Sequence, residues 1–195
     1  MNKKLIIIIL FLLPINVHSD ENLKNSRIFI ENLGDKVIKR IANTNITDKQ
    51  RENNFREIYF KSFDSNYISK FVLGRYWTQI DKSTKKEFTK AFNEYLIMVY
   101  APKFKGWKGK FKTINSQLQN KMYIVSMSLT SDKNPDLALD WRIYKDKNNK
   151  FKILDVNING VSMLVTQRAE FASVIKNNPS GVRGLINEML KKVSS

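Results

Sequence analysis

The chain has 195 residues, carries 34 Lys+Arg against 18 Asp+Glu, and has a formal net charge of +16. It contains no cysteine and a single histidine, His18. Past that residue, Ser-His-Asp and Cys-His nucleophile pairs, imidazole acid–base chemistry and nearly every zinc site are excluded, while carboxylate chemistry stays open.

Met1-Asn2-Lys3-Lys4 and the apolar run Leu5–Leu13 precede Val17-His18-Ser19, whose short residues suit a cleavage site. Residues 1–19 therefore read as a signal peptide. The apolar run is shorter than the ~20 residues of a membrane-spanning helix, which makes an uncleaved anchor the weaker alternative. The expected mature chain, 20–195, suits one domain, with no linker, repeat or low-complexity tract to divide it. Without cysteine, packing rather than disulfides holds it together. Removing Lys3 and Lys4 leaves 32 basic residues against 18 acidic ones, a charge of +14. Export, and the lack of zinc-finger, RGG or RRM-type signatures, argue against nucleic acid as a partner. The charge reads as a solvated basic surface, with a secondary role in touching anionic lipid headgroups or an acidic docking partner.

Asp20 to Ala42 reads as an amphipathic helix with Leu23, Ile30, Leu33, Val37 and Ile41 near one side. Thr47-Asp48-Lys49-Gln50 forms a capping box that starts a second helix carrying Phe55, Tyr59 and Phe60. Asp64 is the expected N-cap of a third, ending around Gly74. Across these two helices Phe60, Phe63, Tyr67 and Phe71 recur at steps of three and four, an apolar stripe that reads either as core or as a cavity wall. Phe60, Phe63 and Tyr67 are expected to knit helices together, and Phe71, Tyr76 and Trp77 to reach a cavity. Thr84-Lys85-Lys86-Glu87 reads as a further capping box, opening a long helix with Phe88, Phe92, Leu96, Val99 and Tyr100, closed by Pro102.

Past Gly106 the apolar period changes from 3.6 to 2. Strands are predicted over Gly109–Gln117, over Lys121–Ser131 with Tyr123, Val125, Met127 and Leu129 on one face, and through Leu137, Leu139, Trp141 and Ile143. Asp146-Lys147-Asn148-Asn149 is a hairpin turn by composition, and Phe151–Ile158 the return strand. Helices follow from Val161 to about Lys176 and from Gly181 to Val193. The order predicts an α+β fold: a curved four-stranded antiparallel meander covered by N- and C-terminal helices, with an apolar cavity between the layers.

FDSNYISKFVLGRYW, then KEFTKAFNEYLIMVY and FKILDVNINGVSMLVTQRAEFASVI, resemble the MlaC family, also called the toluene-tolerance auxiliary family. The resemblance is carried by Phe63-Asp64, Leu73-Gly74-Arg75-Tyr76-Trp77, Phe88 with Phe92, Tyr100, Asp155-Val156, Gly160-Val161-Ser162, Arg168 and Phe171. It implies a periplasmic phospholipid-binding protein of an ABC transport system that maintains outer-membrane lipid asymmetry. Such proteins carry lipid between an outer-membrane lipoprotein–porin complex and an inner-membrane complex of MCE subunit, permease and ATPase. The segment between Asp132 and Asp136 is short for the family, so contacts made by that loop would differ.

For that task the expected sheet wall of the cavity is Tyr123, Val125, Met127, Leu139, Trp141 and Ile143. The expected helix wall is Phe71, Tyr76, Phe92, Leu96, Tyr100, Val161, Met163 and Val165. For each of these, plain core packing is the competing reading. Arg168 either meets a lipid phosphate at the mouth or pairs with Asp64 or Asp155, and Arg75 reads as the structural partner of one of those acids. No catalytic residue, metal or cofactor is expected. Two alternatives remain: an exported enzyme working through carboxylates such as Asp155, and a binding module that uses its basic surface.

Overall fold

The apolar residues separate into two sets that build two cores. The computed structural model describes residues 17–131 and 134–194. Residues 1–16 of the expected signal peptide lie outside them, as do Asp132 and Lys133 of the short loop.

Helix α1 (Val17–Lys36) runs on through a wide π-helical turn, Val37–Ile41, in which the Ala42 N–H donates to the Val37 carbonyl at 3.0 Å. Helix α2 (Asp48–Ser62) begins with the expected capping box: Gln50 N–H donates to Thr47 Oγ1, and Thr47 N–H to the Gln50 side chain. Two side chains of α2 finish the π turn. Arg51, fully buried, donates to the Ile41 carbonyl and, at 3.0 Å, to the Asn43 carbonyl. Asn54 Nδ2 donates to the Arg40 carbonyl at 2.9 Å. Carbonyls that lack a helical partner are thereby satisfied from the neighbouring helix.

Helix α3 (Ser65–Leu73) is capped by Asp64, whose Oδ1 accepts from Tyr67 N–H at 2.9 Å. It ends at Gly74, whose φ of 56° is left-handed. A Cβ there would also lie 2.5 Å from Arg168 Nε, so both backbone and space require glycine. A 3-10 turn, Gly74–Gln79, leads to α4 (Lys82–Tyr100), followed by a second, Ala101–Phe104. The cap of α4 corrects the sequence reading. Asp81 accepts from Thr84 N–H at 2.7 Å, so Thr84 lies inside the first turn and takes a hydrogen bond from Arg183 instead.

Among the described residues the sheet has five strands in the order β1-β2-β3-β4-β5, all antiparallel, rather than four. They are β1 (Lys110–Gln119), β2 (Met122–Ser131), β3 (Asn134–Lys145), β4 (Phe151–Ile158) and β5 (Val161–Ser162). The fifth arises because Asn159 and Gly160 both take positive φ, which folds Val161–Ser162 back onto Asn157–Ile158. Helix α5 therefore starts at Met163, not Val161, and runs to Asn177; α6 is Gly181–Ser194.

One core is purely helical. Ile68, Val72, Phe88, Phe92, Phe171 and Ile186 of α3–α6 are buried together, with the Phe171 ring edge-on to Phe88 and Phe92 at 6.0 and 5.3 Å. The other packs α1 and α2 on the sheet through Ile30, Leu33, Ile41, Ile58, Val125, Met127, Leu139, Ile143 and Ile153. Gly34 lets α1 approach, because a Cβ would come within 2.9 Å of the Phe111 ring. Phe63 touches both cores.

The apolar stripe is divided by a helix break. Phe63 is extended (φ −101°, ψ 153°) and bridges Ile153 of β4, while Asp64 N–H donates to the Ile153 carbonyl at 3.0 Å. The register therefore resets, and α3 buries Ile68, Val72 and Leu73. Tyr67 and Phe60, expected to knit helices, are 42% and 43% exposed. Trp77 and Phe71, expected at a cavity, pack on the outer side of the helical core.

Candidate functional site

Where the two cores meet, an apolar pocket of about 270 Å³ remains. Leu33, Val37 and Ile41 of α1 and its π turn form one wall, with Phe55, Ile58 and Tyr59 of α2 beside them. Phe63 and Ile68 come from the α2–α3 junction, and Phe92, Leu96 and Tyr100 from α4. Trp141 of β3, Leu154 to Val156 and Ile158 of β4, and Met163, Leu164 and Gln167 of α5 close the other side. The backbone explains why adjacent residues of β4 share this wall. The β3–β4 register shifts between Arg142 and Ile143, so Leu154 is bulged and turns inward. The volume falls below the ~300–1,000 Å³ of ordinary small-ligand pockets, so no chamber sized for acyl chains is open here.

Five of the expected wall residues line this pocket: Phe92, Leu96, Tyr100, Trp141 and Met163. Val125, Met127, Leu139 and Ile143 are buried in the sheet-side core beneath α1, and Tyr123 stacks edge-on to Phe151 at its margin. Phe71 and Tyr76 pack on the helical core, while Val161 and Val165 are 59% and 57% exposed. Helix α5 turns Leu164 rather than Val165 inward. Residues not expected at a wall, among them Phe55, Ile58, Tyr59, Phe63 and Ile68, supply the α2 and α3 side. Their signal in the sequence is apolar periodicity, the same signal that core residues give.

Each charged candidate has a contact within the protein. Arg168 is exposed and lies with its guanidinium over the Phe71 ring, 5.5 Å from its centroid. Arg75 pairs with neither acid; it donates to Tyr76 Oη at 3.1 Å and stacks over that ring. Asp64, besides capping α3, accepts a hydrogen bond from Tyr144 Oη. That bond, ahead of burial, pushes the Tyr144 hydroxyl up to about 12.

Asp155 is buried on the pocket wall. Its Oδ1 accepts from Val156 N–H at 2.8 Å and Leu164 N–H at 3.2 Å, and its Oδ2 from Ser162 Oγ at 2.6 Å. Ser162 Oγ in turn caps α5 by accepting from Val165 N–H. Asp155 is thus a clasp joining β4 to the start of α5. Among the described residues it is the sole acid lining the pocket. Tyr59, whose hydroxyl burial pushes up, donates to Asn93 Oδ1 at 3.0 Å. Among the described residues, no group of His, Cys, Asp and Glu could hold a metal, and no helix is long and apolar enough to cross a membrane.

Helices on one face of an antiparallel sheet, with an apolar pocket at their seam, define an α+β protein. Residues 31–191 match the family described as MlaC protein, and the chain belongs to that family. Its fold is similar to that of a phospholipid-binding protein from Ralstonia solanacearum solved in complex with a phospholipid. The TM-score is 0.75 at 19% sequence identity, over 86% of this chain and 96% of that one. No curated protein matches this chain.

Proposed function

We propose that the protein is a periplasmic phospholipid carrier, exported by the segment 1–19, that takes acyl chains into the seam between its two cores. The observation that carries this reading is the apolar pocket where α1, α2, α4, α5 and β4 converge. The phospholipid bound by the Ralstonia solanacearum protein of the same fold supports it.

Each buried CH₂ contributes about 0.8 kcal/mol, so a lipid does not cross water unaided. A bilayer offers the chains nearly the same stabilisation as an apolar seam does. Transfer between the two is close to neutral and needs no catalytic group. The pocket widens to admit the lipid by parting the sheet-side core from the helical core, leaving the headgroup at the mouth. In the cell the carrier exchanges lipid between an inner-membrane MCE–permease–ATPase complex and an outer-membrane lipoprotein–porin complex.

Delipidated protein incubated with vesicles that contain a fluorescent phospholipid tests the reading. Uptake of the labelled lipid that persists in high salt is expected. Uptake that vanishes with salt would show surface adsorption instead, and would contradict a buried site.

A further inference from the structure

A second concavity, of about 580 Å³, runs along the outer face of α4, away from the pocket. Its floor and rim carry Lys82, Lys85, Lys86 and Lys90, with Trp77 and Phe60 flanking them. Lys82, Lys86 and Lys90 follow one another at steps of four and share one exposed face of the helix, while Lys85 sits to the side of that face, towards Trp77. None of them has a carboxylate partner among the described residues. Glu94, the one acid lining the groove among the described residues, is taken by Arg56 from α2. The Lys85 ammonium sits over the Trp77 indole, 5.8 Å from its centroid, and the Phe60 ring is 43% exposed. Four lysines without a carboxylate partner among the described residues, beside two partly exposed aromatic rings, make a patch of positive potential that a segment of opposite charge complements.

We propose that this groove is a docking site for an acidic segment of a partner protein, independent of the lipid pocket. Charge complementarity sets the sign of the partner. A polypeptide suits the shape, because the concavity lies between α4 and the α2–α3 junction, where side chains of an extended segment can enter between the lysines and Phe60. Lys82 to Lys90 spans about 12 Å of helix, the length of roughly four extended residues, so alternate carboxylates of one strand meet successive lysines. An apolar side chain at the end of such a segment rests on Phe60 and Trp77.

Fluorescence anisotropy of a short labelled polyglutamate peptide ending in phenylalanine tests this with the full chain in low salt. The Lys82→Glu, Lys85→Glu, Lys86→Glu, Lys90→Glu variant is compared with one carrying Lys108→Glu, Lys110→Glu, Lys112→Glu and Lys121→Glu, which makes the same change in net charge. The groove variant is expected to weaken binding at least about tenfold and the second variant to stay within about twofold. Equal weakening in both, or no peptide binding by the unaltered protein, overturns the proposal. So does a groove variant that loses binding only to phosphatidylglycerol-containing vesicles. Phospholipid uptake by the groove variant is expected to be unchanged, so failure here is distinct from failure of the carrier reading.

Discussion

Asp155 accepts three hydrogen bonds at a site where the sequence also allowed a catalytic carboxylate. Its replacement by alanine leaves the Leu164 N–H buried without its acceptor, and the Val156 N–H and the Ser162 hydroxyl without theirs. Asp155→Ala should therefore cost about 2–3 kcal/mol in chemical denaturation, and Asp155→Asn, which keeps an acceptor oxygen, distinctly less. A loss below about 0.5 kcal/mol would remove the clasp. Tyr144 makes a pH-dependent tie between β3 and the cap of α3. Because its folded pKa is raised from 10.0 to about 12, its contribution is full below pH 10 and is lost as pH rises towards 12. Tyr144→Phe should lower stability near neutrality by about 1 kcal/mol and make the alkaline fall shallower. Tyr59 and Tyr100, both raised by burial, keep that limb from becoming flat. An unchanged alkaline limb would contradict the Tyr144–Asp64 bond.

At the scale of elements, the π turn is the joint that most depends on a neighbour. Arg51 reaches from α2 to the Ile41 and Asn43 carbonyls, and Val37 and Ile41 of the turn line the pocket. Arg51→Met should cost about 3 kcal/mol, since the Ile41 carbonyl stays buried without its donor. Amide exchange at residues 37–43 should quicken more than elsewhere, and uniform exchange would contradict this coupling. These residues also mark what the sequence could tell. The Thr47 box, the Asp64 cap, the strand periods and the Asp146 hairpin were legible because their signals are local: Asp146, for example, accepts from Asn148 and Lys150 N–H within its own turn. The bonds from Lys150 and Asn148 also hold the Asp146 carboxyl below its usual range. The stripe from Phe60 to Phe71 misled because its break at Phe63 is imposed by a bridge to Ile153, ninety residues away in the chain. The pocket was half legible. Phe92, Leu96 and Tyr100 share one face of α4, but nothing local separates a side chain facing the seam from one inside either core. Val125 and Met127 were expected at the wall and lie under α1 for that reason.

For the whole molecule, two cores meeting at a seam offer a way to open a volume without unfolding either. The helical core keeps Phe88, Phe92 and Phe171 together, and the sheet-side core keeps α1 on β1 and β2, while Phe63 sits between them. Filling the seam should block it. Leu96→Trp is expected to abolish lipid uptake from vesicles while costing no more than about 1–3 kcal/mol of stability. Full uptake by that variant would place the lipid elsewhere. The most direct measurement is native mass spectrometry of the protein purified from a bacterial periplasm. The carrier reading predicts a chain beginning at Asp20 with a phospholipid bound, released intact on denaturation. A protein that carries no lipid as isolated, and acquires none from vesicles, would contradict it.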